Sequence, residues 1–135
     1  MANNPHFSLA WRNQALNQLT ASLGTSALLQ VYAGVQPADV SSAVTAANVI
    51  LASLTCPTTN AFAAATAGVI TANSIGSASA GTAGTATWFS FVKTTGTRVF
   101  DGSIGTSGAD LNLNTASITT GATVAVSAFT VTIDA

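Results

Sequence analysis

Charge is what this sequence has least of. Lys, Arg, Asp and Glu together supply 5% of its 135 residues, where an ordinary soluble domain carries about 25%. Glutamate is absent, and the whole ionic inventory is Arg12, Lys93, Arg98, Asp39, Asp101, Asp110 and Asp134. Affinity for phosphate rests on Lys and Arg, so three basic residues argue against nucleic acid as a partner. A formal net charge of −1 does little to hold neighbouring copies apart. Such a chain suits life in an assembly.

Cysteine is nearly missing too. Cys56 is alone, which excludes an intrachain disulfide. It ends an apolar run before Pro57 and reads as a small buried hydrophobe. Long hydrophobic runs are absent despite a mean hydropathy of +0.50. "NVILASL" is far shorter than the ~20 residues a bilayer span needs, so no membrane partner is expected. "MANNPHFSLAWRNQALNQL" has no basic stretch leading into an apolar core, so no secretory signal is read. Disorder is excluded in turn, because 48% of residues are apolar. The length fits one domain, residues 1–135, and a chain of this size buries about two-thirds of its unfolded surface. It needs neither disulfide nor metal to fold.

One helix is expected, over about residues 7–23. Leu9, Leu16, Leu19 and Leu23 fall on one stripe, with Arg12, Asn13, Asn17 and Gln18 largely off it. "NNP" at residues 3–5 supplies a start signal and Gly24 a stop. Beyond Gly24 the sequence turns to strands: Ala27–Ala33, the run "NVILASLTC", and Gly68–Ile75. A hairpin follows, Thr85–Lys93 and Thr97–Ile104, with Gly96 supplying positive φ at its turn. "ADLNLNT" alternates cleanly. The last strand, Thr123–Asp134, changes phase, and a bulge near Ser127–Ala128 would set Val124, Val126, Phe129, Val131 and Ile133 on one face. "GSASAGTAG", residues 76–84, is either a flexible loop or an extended segment pressed on another backbone. The fold class expected is mainly β: an antiparallel, jelly-roll-like β-sandwich over 25–135, with an N-terminal arm and α-helix in 1–24.

"TATWFSFVKTTGTRVFDGSIG" poses the main structural question. Alternate residues of a strand face opposite ways, so Trp88 projects from one side while Phe89 and Phe91 project from the other. An antiparallel sheet commonly wets one face. Here both carry rings, and something must cover the second. A sister subunit, a partner, or the N-terminal helix would serve.

Chemistry-bearing constellations are weak. His6 is the only histidine and has no nearby acid or thiol in sequence. "GTSGAD" at 105–110 lacks the lysine of a phosphate loop and reads as a turn. Asp101 and Asp110 could pair for glycoside hydrolysis or calcium binding, but no third acid lies near them in sequence. No serine sits in a nucleophile elbow. No enzyme activity, cofactor or metal is expected. The candidate residues are instead those of an interface: Phe7, Trp11, Arg12, Trp88, Lys93 and Arg98. Trp11 lies off the leucine stripe and either docks into a partner or packs on the helix's own sheet. Trp88 with Phe89 and Phe91 is either core or a sugar-stacking platform. Lys93 and Arg98 bracket the hairpin turn and keep it wet.

From Gly84 to Thr132 the chain resembles a family of small virion structural proteins of tailed bacteriophages. The resemblance rests on the "TWF" strand, the K-x-x-G-T hairpin, "DGSIGTSGADLNLN" and the terminal "VSAFTVT". It extends to Arg12, Asn13, Leu16 and Leu19 leading into "LLQVYAGVQPA", and is weakest over about 57–80. It implies a capsid decoration (cement) protein that binds the major capsid protein without covalent bonds. It implies location in the virion, assembled in the host cytoplasm, as a homo-oligomer with a trimer favoured. The alternative is a tail or baseplate component touching a glycan through Trp88. The family brings no list of functional residues.

Overall fold

A computed structural model describes residues 5–134. One helix, α1 (Leu9–Leu23), leads into eleven short strands. These are β1 (Leu28–Ala33), β2 (Val49–Thr55), β3 (Val69–Thr71), β4 (Ala78–Ser79), β5 (Gly84–Thr85), β6 (Trp88–Val92), β7 (Arg98–Gly105), β8 (Leu111–Asn112), β9 (Ser117–Ile118), β10 (Thr123–Val124) and β11 (Thr130–Thr132). The fold is mainly β with one helix around a curled sheet. Five strands make that sheet in the order β2-β1-β6-β7-β8, and three two-stranded ribbons, β10-β4, β11-β3 and β5-β9, accompany it.

The expected hairpin is internal to the sheet. β6 pairs antiparallel with β1 on one side and β7 on the other. Gly96 turns it with φ 89, and its N–H donates to Lys93 O. Directly opposed residues share a face. Leu29↔Phe91↔Phe100 and Val31↔Phe89↔Gly102 therefore define one face, while Tyr32↔Trp88↔Ser103 and Gln30↔Ser90↔Asp101 define the other. The first face is the core. All the phenylalanines except Phe7 gather there: Phe91 lies 4.8 Å from Phe100, 5.3 Å from Phe62 and 5.5 Å from Phe129, centroid to centroid. Phe89 meets Phe129 edge-on at 5.3 Å. Each fully buried ring contributes about 1.5–3 kcal/mol, so this cluster anchors the fold.

Two register shifts shape the sheet. Between Phe91/Val92 and their partners the pairing jumps from Phe100 to Arg98. Val99 is the extra residue, and the bulge turns Arg98 onto the Trp88 face. In β2, Leu51 is the extra residue between Ile50 and Ala52, and it is buried in the core.

α1 packs on β3 and β7. Ser8 is its N-cap, accepting from Trp11 N–H; Asn3 and Asn4, read as part of the start signal, lie outside the described residues. Gly24 closes the helix with φ 70, its N–H donating to Thr20 O. Leu16 and Leu23 are buried, Leu19 packs partly against the core, and Leu9 stays 47% exposed.

Segment 76–84 is extended and pressed on neighbours. Gly76 N–H donates to Thr55 O, Gly81 N–H to Leu51 O, and Ala80 N–H to Ala122 O. The terminal strand is broken rather than bulged. Thr123–Val124 pairs with Ala78–Ser79, while Thr130–Thr132 pairs with Val69–Thr71. The break does what the phase change required: Val124, Val126 and Phe129 are buried, and Val131 and Ile133 pack partly against the same core. Ahead of β3 runs a partner the alanine-rich sequence did not reveal. Thr66 and Val69 exchange two backbone hydrogen bonds, closing a two-residue turn in which Ala67 (φ 55) and Gly68 (φ 76) are both left-handed.

Candidate functional site

Trp88 occupies the second sheet face and is wholly buried. Its indole stacks on the Tyr32 ring at 4.1 Å and 7°. Its Nε1–H donates to Asn48 Oδ1 at 3.0 Å, and the Arg98 guanidinium lies 5.7 Å from the ring. Arg98 forms an ion pair with Asp101. It also donates to Ser42 O and, at 3.4 Å, to Asp39 O. The chain's own segment 34–48 thus lies over this face, where a sister subunit, a partner or the N-terminal helix was expected. Gly34 (φ 108) makes this possible, since a Cβ there would fall 2.6 Å from Asn48 Oδ1 and 2.8 Å from Ala47 O. Burial raises the Tyr32 phenol above its ordinary pKa, with Arg98 pulling the other way.

Two sequence expectations change here. Trp88 is no surface platform for a sugar and offers no ring to a partner; it is core, because Tyr32, Asn48 and Arg98 enclose it. Arg98 does not keep the turn wet, because the Val99 bulge folds it inward, where its side chain is 8% exposed. Lys93 does flank the turn and is half-buried.

Arg12 is likewise internal. Its Nη1 donates to Ile133 O at 3.1 Å and lies so close to Gly68 that a Cβ there would sit 2.8 Å away. Asn13 Oδ1 accepts from Gly68 N–H at 2.9 Å, and Asn17 Oδ1 accepts from Ala65 N–H at 2.8 Å. The polar residues beside the leucine stripe therefore clamp the helix to the 65–68 turn and the end of the chain. Arg12 is a docking residue of the fold, not an exposed one.

Phe7 and Trp11 remain outside. They are 45% and 46% exposed and stacked, 4.3 Å apart at 18°. Phe7 precedes the cap and pins the chain against the first turn, close to a hydrophobic staple. Beyond Trp11 the outer helix face carries Gln14, Ala15 and Gln18, which with Trp11 line a shallow groove. A second exposed apolar group lies at one end of β1–β2: Val35 (83%), Val49 and Ile50.

The remaining chemistry-bearing residues are engaged in the fold. Asp110 Oδ2 accepts from Ser103 N–H and hydroxyl, each at 2.8 Å, and these bonds, the backbone one first, lower its pKa. That contact closes the "GTSGAD" turn. Asp39 is lowered by the Ser41 hydroxyl and then its N–H. Asp101 and Asp110 are thus held by different partners. Burial pushes the Cys56 thiol up to about 11. His6 is exposed ahead of the helix. A cleft of about 310 Å³ between residues 112 and 127 is lined by Asn112, Asn114, Thr115, Ser117, Thr123 and Ser127 among small apolar side chains. It carries no titratable group. Among the described residues, no three His, Cys, Asp or Glu side chains group to hold a metal, and no helix is long and apolar enough to cross a membrane.

Comparison with protein-family models, curated proteins and solved structures finds no match.

Proposed function

We propose that this chain is a non-catalytic virion structural protein, a decoration protein seated on the major capsid lattice of a tailed bacteriophage. One observation carries the reading. The chain has only seven charged side chains, and most are held by its own fold: Arg12 donates to Ile133 O, Arg98 pairs with Asp101 and donates to the 39–42 turn, and at the surface Asp39 and Asp110 accept from Ser41 and Ser103. What faces outward is mostly Ser, Thr, Asn, Gln and small apolar residues, with exposed large apolar groups at the helix start and at Val35, Val44, Val49 and Ile50. Such a surface adheres without long-range repulsion. Many copies bound to a shell would raise the barrier to its rupture by burial alone, at about 1,600 Å² per standard contact. We further propose that the three ribbons form the second layer of a jelly-roll-like sandwich over the five-stranded sheet; the pairing of β3, β4 and β5 with the late strands β11, β10 and β9 supports this.

Density mapping of particles assembled with and without the protein tests the proposal. Regular copies on the head, and earlier thermal rupture of particles lacking them, are expected. Density confined to the tail or baseplate would favour the alternative. Absence from the particle would end both.

A further inference from the structure

We propose that the outer face of α1 is a self-association seam, and that two copies of this chain pair through it with their helices antiparallel. Arg12, Asn13, Leu16, Leu19, Thr20 and Leu23 occupy the inward stripe. The opposite side presents Trp11, Gln14, Gln18 and Ala21, spaced three and four residues apart like the a and d positions of a heptad. The groove formed by Trp11, Gln14, Ala15 and Gln18 has the i, i+3, i+4, i+7 outline of a hole that receives one knob from a facing helix.

Three features select a second copy as the occupant, and an antiparallel one. First, side-chain volume falls along the seam, from Phe7 and Trp11 to Ala21 and Ser22. Helices packed at one spacing need large residues opposite small ones. Only the antiparallel pairing, centred between Gln14 and Ala15, sets Trp11 against Gln18 of the other copy and the small Ala21 and Ser22 against its helix start. A parallel pair would crowd two tryptophans and leave a gap at Ala21. Second, α1 has no acidic residue in its first turn and no basic residue in its last. Its dipole is uncompensated at both ends, and an antiparallel neighbour supplies the opposite pole at each. Third, the exposed helix residues carry no formal charge, and Gln14 and Gln18 each donate and accept, so the face is complementary to itself. A helix of 15 residues is about 22 Å long. That seam is at the small end of specific interfaces, so a weak, concentration-dependent dimer is expected.

Sedimentation velocity of the purified protein over a concentration series tests this independently of any capsid. A monomer–dimer equilibrium is expected. Trp11→Gln should raise the dimer Kd by at least about tenfold, since buried tryptophans dominate such contacts. Its melting temperature at low concentration should fall by no more than about 5 °C, the loss of the stack on Phe7, because Trp11 is outside the monomer core. Orientation is read by oxidation of single-cysteine variants in a Cys56→Ser background. Gln14→Cys, beside the twofold, should cross-link to its own copy. Ala21→Cys should not, because antiparallel copies place those positions roughly 20 Å apart along the axis, beyond disulfide reach. A monomer at every concentration, a trimer, an unaltered Kd for Trp11→Gln, or cross-linking at Ala21 would overturn the proposal. Failure here leaves capsid binding standing, and failure of capsid binding leaves the dimer standing.

Discussion

Replacing Asn48 with Ala probes the cover over the second sheet face most directly. Trp88 is wholly buried and its Nε1–H has Asn48 Oδ1 as its acceptor at 3.0 Å. Removing the acceptor strands a donor away from solvent, which costs about 1–3 kcal/mol. The same substitution removes the Asn48 Nδ2–H to Thr45 Oγ1 bond, but that bond is exposed and adds little. About 2 kcal/mol is therefore the central expectation. Unfolding entropy is about 2.1 cal/mol/K per residue. For 135 residues that gives roughly 3.5 °C per kcal/mol, or a fall of about 7 °C in Tm. The contribution of the N–H itself is isolated by a double-mutant cycle with Trp88→Phe, which removes the donor. In the phenylalanine background Asn48→Ala should cost at least about 1 kcal/mol less, as expected for groups in direct contact. Urea unfolding followed by far-UV circular dichroism suits all four proteins, because the signal does not depend on Trp88. Strict additivity, or a single-mutant cost below about 0.5 kcal/mol, would show that segment 34–48 does not hold Trp88 and that the rings are sheltered otherwise.

Three further outcomes follow from other parts of the fold. Ala67→Asn should stabilise by about 0.5–1 kcal/mol, because Ala67 sits at φ 55, where asparagine is better tolerated than alanine; a lower Tm would refute the turn geometry. Asp110 has a folded pKa below its unfolded value, so its contribution is present above about pH 4 and is lost as pH falls through the lower folded value. Acid unfolding curves of Asp110→Asn should accordingly lose part of their slope below that pH, and an unchanged curve would sink the assignment. Cys56, buried with its thiol pushed up to about 11, should resist a thiol reagent at pH 8 until urea unfolds the chain; rapid labelling of the folded protein would contradict its burial.

Much of the architecture was legible because local rules and tertiary packing agree there. The helix end at Gly24, the turn at Gly96 and the strands around Leu29–Val31, Leu51–Leu54 and Trp88–Val92 each combine a hydrophobic pattern with a breaker. Residues 61–73 lacked that agreement. "NAFAAATAG" has little β-propensity, and its hairpin is fixed by tertiary contacts, with Asn13 and Asn17 capping Gly68 and Ala65. The same contacts explain why Arg12 was misplaced. A leucine stripe marks only the apolar part of a docking face, and the polar edge of that face is invisible until the carbonyl of Ile133 is known to lie beside it. The fate of Arg98 turned on one extra residue, Val99. A bulge inverts a side chain without any compositional signal in a run as plain as "TRVFDG".

The requirement that rings on both faces be covered was sound; what the sequence could not rank was the source of the cover. Closing a 15-residue loop such as 34–48 costs about 2–3 kcal/mol beyond a constant, because the entropy grows only with the logarithm of length. Recruiting a sister subunit costs some 4–15 kcal/mol in lost translation and rotation. Where a segment of the same chain can reach, it wins, and Asn48 at the far end of that loop reaches Trp88. The argument reverses for Phe7 and Trp11. Their helix is already clamped on its other side by Arg12, Asn13 and Asn17, and their rings stand outward beside their own glutamines. Covering them further would take a second molecule, and the larger cost of association would make that cover partial and concentration-dependent. The proposed seam between copies therefore starts at this first helical turn, and the rings of the aromatic hairpin belong to the core.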